Sequence, residues 1–266
     1  MSKFVVVILP SENAAYEGTR ALKQLHAEGS LTLYGMAVLA REANGNLAVK
    51  QSADTGGLGL ATGMLVGGLV GLIGGPVGGA LGMSTGAMVG GLGDIINMGI
   101  QSDFLDAIST KLTAGKAAVI AEVDEDWMKP LDVAMEPLGG QVIRQERSDF
   151  EDEQIDALVK QRQAELTQLK DDFDHATADA KAAMKKRLDQ ARANLEAAGK
   201  RADERQRRLD QEADAKLNEL QQQLAKATQE TKAKIEKRLA AAQASQKRRS
   251  ELLKRAWSLT KEALSS

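Results

Sequence analysis

The sequence predicts an α+β protein that passes into a long α-helical region, and three observations predict it. Short β-branched apolar runs alternate with amphipathic stretches across residues 1–150. From Thr55 to Gly93 no side chain is charged, and this one segment holds most of the glycines of the whole chain. Beyond Phe150 the composition turns to Ala, Lys, Arg, Glu, Gln and Asp, with Gly199 as the one glycine and no proline.

The α+β part reads in order. Phe4 to Leu9 is nearly wholly apolar, as suits a strand buried on both faces. Ser11 caps an amphipathic helix carrying Ala14, Tyr16, Leu22 and Leu25, and Gly29 stops it. Leu31 to Arg41 and Leu47 to Gln51 follow as strands joined at Asn44-Gly45, a strong hairpin signal. After the glycine-rich segment, Ser102-Asp103 opens a helix through Leu105, Ile108 and Leu112, and Ala117 to Val123 forms a strand. Trp127 to Leu138 reads as a short helix and Gln141 to Arg144 as an edge strand. Set apart from the segment at 55–101, this order is βαββαβ, the split pattern of ferredoxin-like domains, with two helices covering one sheet face. That fold hosts many functions and specifies none.

The glycines are spaced at helical intervals. Gly59, Gly63, Gly67, Gly71 and Gly75 form one row, and Gly78, Gly82, Gly86 and Gly90 belong to a second. Residues four apart share a helix face, so each row leaves a groove that another backbone can approach closely. Gly74-Gly75-Pro76 turns the chain between two arms, Gly59 to Gly75 and Val77 to Gly93. Each arm would be about 25 Å long, against a hydrocarbon core of roughly 30 Å. Two readings follow: a helical hairpin in a bilayer, or a hairpin buried among copies of the chain in a shell or filament.

The strand near Leu9-Pro10, the following helix, the strand from Leu31 to Arg41 and the glycine-zipper hairpin before the last helix and strand resemble a bacterial family of unknown function described as predicted membrane proteins. The resemblance spans residues 3 to about 147. It implies membrane association and supplies no reaction.

In residues 151–266, small or apolar residues recur every three or four positions from Leu166 through Leu188, Leu195, Leu209 and Leu220 to Ala242. Interleaved charges occupy the other faces, which predicts one long amphipathic helix or coiled coil that associates with its own kind. Unbroken, it would reach about 170 Å, with a bend expected at Gly199. Phe173 to Ala191 aligns without gaps on Leu224 to Ala242, with eight identities. This is either a repeat that presents one face for lateral docking or the chance similarity of Ala/Lys-rich helices. The stretch from Lys247 to Ser266 is basic and amphipathic, and Lys254, Arg255 and Trp257 are candidates for contact with an anionic membrane surface. Packing of Trp257 on a partner helix is the other reading.

Charge divides unevenly. Residues 1–54 are neutral, 94–150 carry five basic and eleven acidic residues, and 151–266 carry more basic than acidic residues. Cysteine is absent, and Met1-Ser2-Lys3 leads directly into a strand instead of a secretory leader, so a cytoplasmic chain is expected, at the inner face of the membrane if the hairpin inserts.

Catalytic and cofactor motifs find little material. No lysine lies between Lys50 and Lys111 to complete a phosphate loop, and Thr62 stands where Gly57-Leu58-Gly59 would require a third glycine. Asp124-Glu125-Asp126 starts like a calcium loop, but Lys129 and Met135 occupy its glycine and closing carboxylate positions, so a solvated turn is expected. His26 and His175 read as surface residues. No catalytic residue, cofactor, metal, nucleic acid or small-molecule substrate is expected. The expected role is a non-enzymatic scaffold, anchored by the hairpin, with other copies and a lipid bilayer as its partners; the alternative is a soluble self-assembling structural protein.

Overall fold

A computed structural model of the chain describes residues 2–53, 65–67, 69, 100–147 and 150–265. They form two compact units, Met1–Ser148 with Glu212–Gln243, and Asp149–Gln211 with Ala244–Ser266. The compositional boundary near Phe150 thus coincides with a boundary between units, yet Glu212–Gln243, from the helical half, belongs to the first unit.

The first unit is built on a five-stranded antiparallel sheet in the order β3-β2-β4-β1-β5. Its strands are β1 (Lys3–Leu9), β2 (Thr32–Arg41), β3 (Leu47–Ala53), β4 (Ala117–Asp124) and β5 (Gln141–Glu146). Between them run α1 (Glu12–Ala27), α2 (Ser102–Lys111) and α3 (Lys129–Met135), the last extended by a 3-10 turn at Glu136–Leu138. The local signals work as their chemistry dictates. The Ser11 hydroxyl accepts from the Ala14 amide at 3.2 Å, Gly29 takes the left-handed conformation (φ +74°) after α1, and Gly45 does so in the β2–β3 hairpin (φ +87°).

Strand pleating separates two apolar faces. Val5, Val7 and Leu9 of β1 join Met36 and Val38 of β2 and Val119 and Ala121 of β4 beneath Leu22 of α1 and Leu131 and Met135 of α3. Phe4, Val6, Ile8, Leu39 and Ile120 point the other way, against Phe104, Leu105 and Ile108 of α2. Two helices do share one face, but they are α1 and α3. The helix after the glycine-rich segment, α2, covers the opposite face, because its apolar stripe is matched to the alternate residues of the same strands.

Residues 65–67 and 69 are helical, and Leu65, Val66 and Leu69 are buried in this second core beside Phe4, Val6 and Ile8. That part of the first glycine-rich arm therefore belongs to the fold of the sheet. The rest of both arms, and the expected turn at Gly74-Gly75-Pro76, lie outside the described residues. Among the described residues no helix is long and apolar enough to cross a membrane.

The helical half is three helices, α4 (Phe150–Asp174), α5 (Ala178–Lys226) and α6 (Gln229–Ser265), where one was expected. Both breaks fall on Ala-Thr, Ala176-Thr177 and Ala227-Thr228, which are equivalent positions of the internal echo. The Thr177 carbonyl accepts from the Lys181 amide at 2.9 Å, and the Thr228 carbonyl from the Thr231 and Lys232 amides at 3.2 and 3.1 Å, starting the two helices alike. The echo thus places two like turns at equivalent positions.

In the second unit, α4 and the last part of α6 run parallel, and α5 runs antiparallel to both. Asp152 meets Arg205 and Arg249, Lys170 donates to the Ala263 carbonyl, and Gln206 donates to Ser250. The seam residues Leu166, Leu169, Leu188, Leu195 and Leu209 close on Leu253 and Ala256 in one buried core. The seam expected to recruit another chain is filled by the chain's own return. In the first unit the same seam continues as Leu220 and Ile235, buried with Tyr34 of β2.

Gly199 does not interrupt α5, which is continuous from Ala178 to Lys226. A Cβ there would lie 2.8 Å from Thr260 Cβ of α6, closer than side chains tolerate, so the glycine permits close helix contact. An exposed mid-helix Gly→Ala change gains about 1 kcal/mol. Gly199→Ala is expected instead to lose about 1–3 kcal/mol through overpacking. A thermal-unfolding midpoint below that of the wild type checks this, whereas a higher midpoint would place Gly199 on an open face.

Candidate functional site

In the first unit the buried charge gathers at one end of the sheet. Glu122 is the lone acidic residue in the apolar run from Ala117 to Val123, and it has no exposed surface. Strand parity directs it to the same side as Ile120, and its neighbours across the sheet are Phe4 of β1 and Gly35 of β2. Arg147, just past β5, donates from Nη1 to Glu122 Oε1 at 3.0 Å and from Nη2 to Glu212 Oε2 at 2.8 Å. Lys216 of α5 donates to the same Glu122 oxygen and to Ser2 Oγ at 3.1 Å, and lies 3.2 Å from Glu212. Two aromatic rings support the cations: Arg147 stands over Phe4 and Lys216 over Tyr34, 5.9 and 5.1 Å from the ring centres.

Burial by itself would raise the Glu122 carboxyl above its ordinary 4.5. The ammonium of Lys216 and the guanidinium of Arg147, through charge and hydrogen bonds, outweigh it and hold the group down to about 2. Glu122 is therefore ionised, in a set whose two carboxylates match two cations.

The turn from α1 to β2 carries a second set. Arg238 of α6, 2% exposed, donates to the Gly29 and Ser30 carbonyls at 3.2 and 3.0 Å and pairs with Asp126 at 3.0 Å. Gln223 of α5 donates to the His26 and Leu31 carbonyls at 2.7 and 2.8 Å and accepts from the Thr32 hydroxyl at 2.6 Å. The two side chains thus donate to the carbonyls around the left-handed turn at Gly29, and that of His26 also accepts from the Gly29 amide at 3.0 Å. His26 is half-buried here: Nδ1 accepts from the Leu33 amide and Nε2 lies 3.2 Å from Glu219. Burial lowers its pKa first, with Glu219 working against that and Lys226 and Arg238 adding to it.

Two sequence expectations are corrected by this geometry. His26 is not a surface residue, although His175 is exposed. Asp124-Glu125-Asp126 is not a solvated turn: Asp124 and Glu125 are 6% and 5% exposed, and Glu125 pairs with Arg144 at 2.7 Å and Lys3 at 3.6 Å. Burial alone would lower Arg144, but hydrogen bonds and charge from Glu125 and Asp132 turn the shift upward. Among the described residues no group of carboxylates and histidines could hold a metal ion.

The residues singled out from the sequence are not brought together. Gly67 is helical and half-buried; Gly59, Gly63, Gly71, Gly75, Gly78, Gly82, Gly86 and Gly90 lie outside the described residues. Lys254 and Arg255 are exposed on α6, with Arg255 3.3 Å from Asp156. Trp257 is half-buried, with Lys261 Nζ 4.9 Å from its ring centre. Its helical neighbours Leu253, Ala256 and Thr260 are buried against the chain's own helices. The apolar side of the basic tail is therefore occupied at these positions.

The cluster that sequence reasoning missed had two signals: a single Glu inside an apolar strand, and an acidic 94–150 facing a basic 151–266. Removing one partner of such a buried set leaves the others uncompensated, at a cost of about 3–5 kcal/mol. Glu122→Gln is expected to lower the urea midpoint accordingly at pH 7. Because the folded pKa of about 2 lies below the ordinary 4.5, the unfolded chain binds the proton first; the Glu122 contribution is complete above pH 4.5 and is lost as pH falls toward 2. The difference between wild type and variant should therefore narrow across that window, and a constant difference would refute the ion-pair account.

In comparison with known families, residues 60–161 match the family "Protein of unknown function (DUF1269)". The match runs from the glycine-rich segment through β5 into α4, where the resemblance read from the sequence began at residue 3 and ended near 147. That description names neither an activity nor a location. No similar curated protein and no similar solved structure is found. Over residues 60–161 the chain is thus similar to a family whose function is not known.

Proposed function

We propose that this chain is a non-enzymatic structural protein that associates with copies of itself through its glycine-rich segment. The observation that carries this reading is the burial of Leu65, Val66 and Leu69 in the core formed with Phe4, Val6 and Ile8. An arm seated by three large side chains on its own sheet is a poor bilayer span, since those residues face protein while a spanning helix needs about 20 apolar residues. The glycine rows retain their packing role in this setting, because close backbone approach works between protein helices as well as in lipid. The charge clusters fit a structural role, with carboxylates held by cations and placed to fix helices on a sheet.

The α+β part is read as a ferredoxin-like core. β1 and β2 enclose β4, and β4 and β5 enclose β1, which gives two split βαβ units crossing through α1 and α3. On this reading β3, the glycine-rich segment and α2 together form the insertion between two strands of the core.

A second reading, a scaffold held at the inner face of a membrane by the glycine-zipper hairpin, is favoured by the uncharged run from Thr55 to Gly93. Carbonate extraction of membranes followed by sedimentation separates the two. Release into the supernatant as an oligomer, with Gly67→Leu/Gly71→Leu reducing its size, is the expected result. A monomer in sedimentation would end the self-assembly reading, and retention in the carbonate-washed pellet would favour the anchor.

A further inference from the structure

The two helix turns of the C-terminal half contain nothing that prevents a continuous helix. Ala227-Thr228 joins α5 to α6 with two residues, and neither is glycine or proline. A left-handed glycine or asparagine ends roughly a third to a half of helices. Among the described residues every residue with positive φ is a glycine, so this turn is made without one. Alanine is the strongest helix former, and threonine is tolerated in helices.

The apolar stripe supplies a second, independent observation. Leu217, Leu220, Leu224, Ala227, Thr231, Ile235, Leu239 and Ala242 follow one another at steps of three or four residues straight across the break. A hairpin needs each helix to be amphipathic, but it does not need the second stripe to continue the first in phase. A continuous helix does. The seam is thus written for a helix running from α5 into α6, while the structure folds it back.

From these observations we infer that a second copy of this chain is the partner of α6: the turn at Ala227-Thr228 opens, α5 and α6 become one helix, and α6 docks on the other copy. Every contact of α6 is then remade in trans. Leu253 and Ala256 enter the partner's helical core, and Arg238 reaches the equivalent of Asp126 and the Gly29 carbonyl. Opening restores the helical hydrogen bonds that the turn interrupts, and the exchange is symmetric, as closed dimers require. The inference does not use the glycine-rich segment, so it and the proposed function fail separately.

The absence of cysteine from the chain makes the exchange directly readable. Gln206 of α5 donates to Ser250 of α6 at 3.0 Å, so cysteines at these positions sit opposite each other. Full-length Gln206→Cys and Ser250→Cys chains would be mixed, unfolded, refolded together at high concentration and oxidised. A disulfide-linked heterodimer on a non-reducing gel is the expected result, alongside a dimer in size-exclusion chromatography. Gln229→Pro is the control. Position 229 is the first residue of α6, where proline is well accepted after a turn, but in a continuous helix its ring would clash with the Ala225 carbonyl. This variant is expected to stay folded and to reduce the linked heterodimer at least tenfold. No heterodimer from the mixed single variants, when the Gln206→Cys/Ser250→Cys double variant closes its disulfide within one chain, would overturn the inference. So would a heterodimer unaffected by Gln229→Pro.

Discussion

A carboxylate with no exposed surface must either give up its charge or be met by cations, and Glu122 is met by Lys216 and Arg147. This constraint ties together parts of the chain that are far apart in sequence. Lys216 comes from α5, Arg147 follows the edge strand β5, and Ser2 precedes β1. The helical stretch Glu212–Gln243 consequently belongs to the same compact unit as the sheet, although its composition is that of the coiled-coil half. A buried ion set of this kind adds little net stability over an apolar contact of equal shape, since desolvation offsets most of the attraction. Its effect is to make one placement of α5 far better than any neighbouring register.

The same logic recurs in the second unit. Asp152 is fully buried and accepts from Arg205 and Arg249, one arginine on each of the other two helices. An apolar seam of leucines and alanines permits many sliding registers of a three-helix bundle, whereas a carboxylate between two guanidiniums permits one. Gly199 adds a steric condition, because only a glycine admits Thr260 of α6 at that separation. The bundle is thus driven by its seam and aligned by a few polar and small residues.

Much of the fold is legible in the residues alone. The apolar alternation of β1 and β4, the Ser11 cap, the Gly29 stop and the Asn44-Gly45 hairpin are local signals, and each formed where its chemistry places it. The candidate site is less legible. Asp124-Glu125-Asp126 looks like a solvated turn because the cations that meet it are not its sequence neighbours; Arg144, Lys3 and Arg238 arrive from β5, β1 and α6. The echo of Phe173–Ala191 in Leu224–Ala242 is visible as similarity, but its meaning as two equivalent turns is not. Ala-Thr is no helix breaker, and only tertiary contacts make the chain reverse there.

By itself the sequence determined which face of each element is apolar, where the composition changes, and that the whole run from Thr55 to Gly93 carries no charge. Those properties depend on residues a few positions apart, within reach of helical or strand periodicity. The tertiary structure decided what covers each face: α2 took the opposite side of the sheet from α1 and α3, Leu65, Val66 and Leu69 took places in the sheet's core, and the long seam closed on its own return. Periodicity shows that a surface must be covered but carries no information about which surface covers it, because burial is non-directional and many apolar faces satisfy it equally. The choice falls to contacts of high sequence separation, such as Lys216 with Glu122 and Arg238 with Asp126, which exist only once the chain has folded.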